Sequence, residues 1–187
     1  MKKLYFKITA ELIGLQLFFA LASVMFVSFF SWMQGWKWIF SLFTGWLFLG
    51  AAHSTLWQLG NKDRKNNIIV NKNLPEGASD VKLSIWGGLK YASAFFAINV
   101  IVVLLVILCD NGGTPGNTYI YLVHRILMAP LFGFLPEYGS GTYALVSLLL
   151  CVVMYIPCIT AYISGTKNFS LTEIIVPRLI YKNKENE

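Results

Sequence analysis

Ionisable and amide side chains are scarce in the apolar stretches of this 187-residue chain, so the few that occur are where chemistry has to be sought. A carboxylate or imidazole surrounded by hydrocarbon titrates far from its usual pH and costs free energy to hold. Four residues stand in such surroundings: Glu11, Gln16, His53 and Asn99. Glu11 follows Lys7 by one helical turn, the spacing of an interfacial ion pair. Turned inward instead, it would be a protonatable carboxylate of the kind proton-coupled carriers use. His53 shares a helix face with Trp46, Gly50 and Trp57, which reads either as a packed polar contact or as a titrating site. Glu11 and His53 fall at comparable depths of consecutive antiparallel stretches. If they meet, each shifts the other's pKa in the way proton relays exploit. Asn99 and Gln16 are uncharged, and each is expected to hydrogen-bond across to a neighbouring helix.

A second group, His124, Arg125, Glu137 and Asp110, lies in and around a broken apolar stretch later in the chain. Arg125 is expected to pair with Glu137 or Asp110 and tie that stretch to the rest; anion binding is the weaker alternative. The established catalytic patterns are missing: no HExxH, GxSxG or P-loop occurs. His53 and Ser54 are adjacent and point to different helix faces, so they form no dyad. Cys109, Cys151 and Cys158 make neither a CxxC nor a zinc spacing and read as small packing thiols. The expectation is therefore no metal, no cofactor and no enzyme.

What must position these groups is a set of apolar helices. Tyr91 to Cys109 carries no charge and ends in branched aliphatics. About 20 such residues at 1.5 Å rise cross a ~30 Å hydrocarbon core. Similar stretches give an all-α polytopic membrane protein with spans at about 8–32, 38–59, 85–108 and 142–164 in a single membrane domain. Hydrophobic content of 56% against 13% charged residues, with a mean hydropathy of +0.60, agrees with that class. The basic start and first apolar run also resemble a secretory signal, with Ala20-Leu21-Ala22 at a cleavage-like position. Glu11 and the run's length favour an uncleaved span.

Between spans, Ser31 to Trp38 reads as a tight interfacial connection rich in tryptophan, and Gly60-Asn61 as a helix stop. The polar stretch 61–84 follows, in which Ile68 to Val70 is expected to form a brief strand or dip toward the membrane surface. Asp110 to Gly116 is a turn cluster. Residues 118–136 are too broken for a span; they read as one extracytoplasmic helix that is either interfacial or re-entrant, turning at Pro130. The tail, 165–187, carries a capping-box spacing at Ser170 and Glu173 before a short basic helix. Ser84, Gly88 and Ala92, like Ser41 and Gly45, recur every fourth residue as close-packing seams.

Four spans put Lys2, Lys3, Lys7, Lys62, Arg64, Lys65, Lys72, Lys82, Lys90, Lys167, Arg178, Lys182 and Lys184 on one side, and only Lys37 and Arg125 on the other. Short Lys- and Arg-rich loops stay cytoplasmic. Both termini are therefore expected in the cytoplasm, with the chain in a bacterial plasma membrane. The net charge of +6 is assigned to this asymmetry and not to nucleic acid. Three functions compete. The first is an accessory, regulatory or scaffold subunit that docks on a larger membrane protein or on copies of itself. The second is an oligomeric transporter or channel subunit for a small solute or proton. The third is a lipid-modifying enzyme.

Overall fold

The computed structural model describes residues 2–29, 37–75, 79–84, 86–111 and 114–169. They are mostly helical, and four of the helices are long and apolar enough to cross a membrane. α1 is Lys2–Phe29, α2 is Lys37–Lys72, α3 is Gly87–Leu108 and α5 is Tyr143–Thr166; between α3 and α5 lies a shorter helix, α4, Thr118–Leu127. Each long helix has one neighbour on either side, giving a ring in the order α1, α2, α5, α3, with α2 against α5 the most extensive contact. Phe48, Leu12, Leu56, Phe95, Met154 and Tyr162 fill its centre. Large apolar side chains such as Phe18, Leu21, Trp46, Ile101 and Leu149 face outward. So wide an apolar surface is rare on a monomer in water.

α2 differs from expectation. Gly60-Asn61 does not stop it; the helix runs on through Ile68 to Val70, which form no strand, and ends at Lys72. The reason lies in the packing. Phe48, Ala52, Leu56 and Gly60 recur every fourth residue as one buried stripe. At Gly60 the backbone of α5 comes close, since a Cβ there would collide with the carbonyl oxygen of Tyr162. The first residue that forbids further helix is Pro75. At 1.5 Å per residue, 36 residues make about 54 Å, so α2 is some 20 Å longer than the ~30 Å that would cross an apolar slab. Beyond it, Asn71 clamps the returning chain: its side chain accepts from the Val81 amide at 2.9 Å and donates to the Val81 carbonyl at 3.3 Å.

The turn cluster after α3 forms a two-residue antiparallel ribbon, β1 (Asp110–Asn111) with β2 (Thr114–Pro115). Asn117 then caps α4 by accepting from the Tyr119 and Ile120 amides. After Met128 the chain makes a kinked 3-10 helix, Ala129–Phe134, with Pro130 in its first turn. α5 ends in a left-handed Asn168, at φ 56°, while the Phe169 amide reaches back to the Ser164 carbonyl at 2.8 Å. The expected tail helix and its Ser170–Glu173 capping box, and most of the Ser31–Trp38 connection, lie outside the described residues.

Candidate functional site

Residues 118–136 fold back on themselves, and the depth of the fold can be read from what holds it. At its innermost point the Leu127 carbonyl accepts from Gln16 Nε2 at 2.8 Å, near the middle of α1. The Ala129 carbonyl then accepts from the Ser23 hydroxyl at 2.8 Å, two turns further along α1. The Pro130 carbonyl accepts from the Thr44 hydroxyl at 3.0 Å, and the Gly133 amide donates to Ser41 Oγ, one turn from the start of α2. The segment therefore enters the ring from one end, reaches about halfway, and leaves on the same side. Gly45, in the Ser41–Gly45 seam, leaves the space that Leu131 occupies. Backbone that leaves a regular helix inside an apolar interior must be satisfied by protein. Here three hydroxyls and one amide do so.

The same Gln16 amide donates to Asn99 Oδ1 at 2.7 Å, with Met154 Sδ at 3.8 Å as a weaker third acceptor. Asn99 in turn donates to the Phe95 carbonyl one turn back, at 2.9 Å. Both side chains are fully buried. The two amides expected to bond across helices thus bond to each other, and they join α1, α3, α5 and the tip of α4 at one point.

Glu11 and His53 do not meet. Glu11 is 45% exposed and pairs with Lys7 at 3.7 Å on the outside of α1, so the relay geometry is absent and a surface ion pair stands in its place. His53 is half-buried on α2, and its ring makes no hydrogen bond among the described residues.

Around the end of the ring where α4 begins the second group separates. His124 is buried and its Nδ1 lies 2.9 Å from the Tyr143 hydroxyl. Its Nε2 and the Ser147 hydroxyl, one turn beyond Tyr143, are buried without a hydrogen-bond partner among the described residues. Arg125 pairs with neither Glu137 nor Asp110. Instead Nη1 donates to the Tyr121 hydroxyl at 2.8 Å, and the guanidinium lies 4.4 Å from the centre of the Phe132 ring. A flat cation stacked on an aromatic face replaces the expected salt bridge. Asp110 lies near Tyr138, whose hydroxyl is pushed up to about 12, by burial first and Asp110 second. With Val106, Gly139 and Tyr143 these residues line a cavity of about 220 Å³. Glu137 is exposed in the turn that leads to α5.

Burial, and after it the neighbouring Arg125, pull the His124 pKa from 6.5 down to about 4. The imidazole is therefore neutral in the folded chain at pH 7. Between these two values the unfolded chain binds the proton and the folded chain does not, so folding stability falls as pH drops from about 6.5 toward 4. A shift of this size corresponds to a loss of up to about 3 kcal/mol at the acid end. Detergent-solubilised protein should melt progressively lower over that window. His124→Asn should flatten the profile while lowering the plateau.

One polar cluster has no counterpart in the sequence reading. Asp63, on the projecting part of α2, accepts from the hydroxyls of Tyr162 at 2.8 Å and Tyr91 at 3.3 Å, with the Tyr5 ring 5.1 Å from that of Tyr91. The signal that would have found it is the four-residue stripe of α2 carried past Gly60. A loop reading of 61–84 hides it. Among the described residues no cluster of His, Cys, Asp and Glu is arranged to hold a metal. No protein-family model, no curated protein and no solved structure matches the chain.

Proposed function

We propose that the four long helices cross a membrane and that the protein is a docking or scaffold subunit, with the projecting end of α2 as its partner-binding element. The carrying observation is that extension. Lys62, Lys65, Ile69 and Lys72 recur at helical spacing along its exposed side, with Ile69 at 58% exposure between the cations. No other described helix covers this face. A rigid cationic helix with an apolar centre fits an acidic protein surface. The positive charges support an orientation with the extension, the start of α1 and the end of α5 on the cytoplasmic side of a bacterial plasma membrane. Residues 118–136 then form a re-entrant hairpin in the outer half. The interior supports docking over transport by one chain, because the tip of the hairpin and the Gln16–Asn99 pair occupy the middle of the ring.

The test is site-specific photo-crosslinking in intact cells from Ile69, compared with Ile101 on the lipid-facing side of α3. A discrete adduct to another membrane-associated protein from Ile69, lost on Lys62→Glu with Lys65→Glu, is the expected result. Adducts between copies of the chain alone would favour the oligomeric transport reading. No adduct from Ile69 would remove the docking role.

A further inference from the structure

Arg125 stands at the mouth of a lateral groove between α1 and the hairpin. The groove is about 260 Å³ and is lined by Ser23, Val24, Leu122, Ile126, Ala129 and Phe132 besides Arg125 itself. Its walls are apolar, and its hydroxyl is already committed, since Ser23 donates to the Ala129 carbonyl. No carboxylate lies within ion-pair distance of the guanidinium among the described residues. Among the described residues its single hydrogen bond goes to the Tyr121 hydroxyl at 2.8 Å. An arginine has five N–H donors, so most of its hydrogen-bonding capacity is unspent. A cation held in apolar surroundings without a counter-ion is costly, and the usual remedies are an anion or a reach toward the membrane surface.

The reach is visible in the structure. The arginine leaves α4 two residues before the buried tip, yet its head group stacks on Phe132. Phe132 adjoins Gly133, which is bonded to Ser41 one turn from the outer end of α2. The guanidinium is thereby carried toward headgroup level while the groove runs below it along α1. A volume of 260 Å³ is under the ~300 Å³ at which enclosed small-molecule sites begin, and the groove opens sideways. It suits one segment of a hydrocarbon chain better than a free solute.

We infer that this groove is a binding site for an anionic phospholipid of the outer leaflet, the phosphate on Arg125 and part of one acyl chain along Val24, Leu122 and Ile126. Guanidinium matches phosphate in shape as well as charge, and the stacked Phe132 fixes its plane before the lipid arrives. The inference rests on the membrane placement proposed above and is independent of the docking role.

Native mass spectrometry of protein purified in mild detergent tests it, with phosphatidylglycerol, phosphatidylcholine and glycerol 3-phosphate as probes. Wild type should retain phosphatidylglycerol about tenfold better than phosphatidylcholine, whose phosphate is the same but whose choline cation offsets its charge and is repelled by the guanidinium. Arg125→Gln should lose that preference, and Arg125→Lys should keep part of it. Leu122→Trp, which obstructs the groove and leaves the cation, should weaken both lipids. Equal retention of the two lipids by wild type overturns the site, as does an intact preference in Arg125→Gln. Binding of glycerol 3-phosphate as tight as that of the lipid would reduce it to a phosphate site. Helix content by circular dichroism checks that each variant folds. Recovery of the wild-type chain without detergent would instead bring down the membrane placement itself.

Discussion

Gly60→Ala and Gly165→Ala should each destabilise the protein by about 3 kcal/mol, the upper end of what overpacking costs. The same change at Gly14 or Gly50 should leave it unchanged or slightly more stable. All four glycines lie in long helices, where alanine is intrinsically better by roughly 0.5–1 kcal/mol. What separates them is the neighbour. A methyl group at Gly14 or Gly50 meets nothing within 4 Å. At Gly60 it would meet the Tyr162 carbonyl oxygen, and the Thr166 nitrogen at 3.1 Å. At Gly165 it would meet the Trp57 carbonyl oxygen, and the Asn61 nitrogen at 2.9 Å. These contacts are backbone, which cannot turn aside as a side chain can. The two glycines also face each other across one crossing, each opposite the residues flanking the other.

Relief at one position therefore relieves the other. Once the helices have been wedged apart, the second methyl has room, and the double variant should cost clearly less than the sum of the singles. The consequence should extend to Asp63, because Tyr162, packed against Gly87 and Gly88 on its other side, carries the hydroxyl that the carboxylate accepts. Thermal unfolding in detergent against the Gly14 and Gly50 controls reads the effect. Gly60→Ala melting with the controls would mean that α2 and α5 do not approach this closely.

This crossing also shows where the sequence was transparent and where it was opaque. The number of long apolar helices, and most of their ends to within a few residues, follow from uninterrupted apolar runs, as at Tyr91 to Cys109. The end of α2 did not follow, because glycine carries two opposite meanings. Gly60 beside Asn61 reads as a stop when followed by polar residues. It serves as a contact when another backbone needs the room, and only the partner helix decides which. The same blindness hid Asp63, since a carboxylate in a presumed loop gives no sign that two tyrosines, at positions 91 and 162, point at it. Arg125 misled in the opposite direction. Nearby acids at 110 and 137 invited a salt bridge, whereas the side chain found Tyr121 one turn back on its own helix and Phe132 across the hairpin. Gln16 and Asn99 were legible as cross-helix bonders because an amide in an apolar span has few other options. That each would choose the other needed the ring order.

That pair sets the second large effect. Gln16→Leu should cost about 2–4 kcal/mol, although it replaces a polar residue by an apolar one in an apolar core. The arithmetic turns on what is left behind. Hydrogen bonds between membrane helices are worth on average only ~0.6 kcal/mol, and at most ~1.7, because the separated helices find other partners. An acceptor stranded in the interior costs ~1–3 kcal/mol. Gln16→Leu strands two: Asn99 Oδ1 and the Leu127 carbonyl, one of the end carbonyls that a helix cannot satisfy internally. Asn99→Leu strands one group, Gln16 Oε1, whose donor is Asn99 Nδ2 at 3.5 Å, and should cost less, about 1–2 kcal/mol, since the Gln16 amide nitrogen keeps Leu127 and Met154 as acceptors. The double Leu variant leaves only the Leu127 carbonyl orphaned, so it should be more stable than the sum of the singles predicts. The cycle distinguishes a shared bond from two separate ones, for which the losses would simply add. It also separates the two jobs of Gln16. If the amide pair alone mattered, restoring an apolar contact on both sides would recover nearly everything. A residual deficit in the double variant measures what Gln16 contributes by holding the tip of the hairpin, with Ser23, Thr44 and Ser41 still fastening the rest.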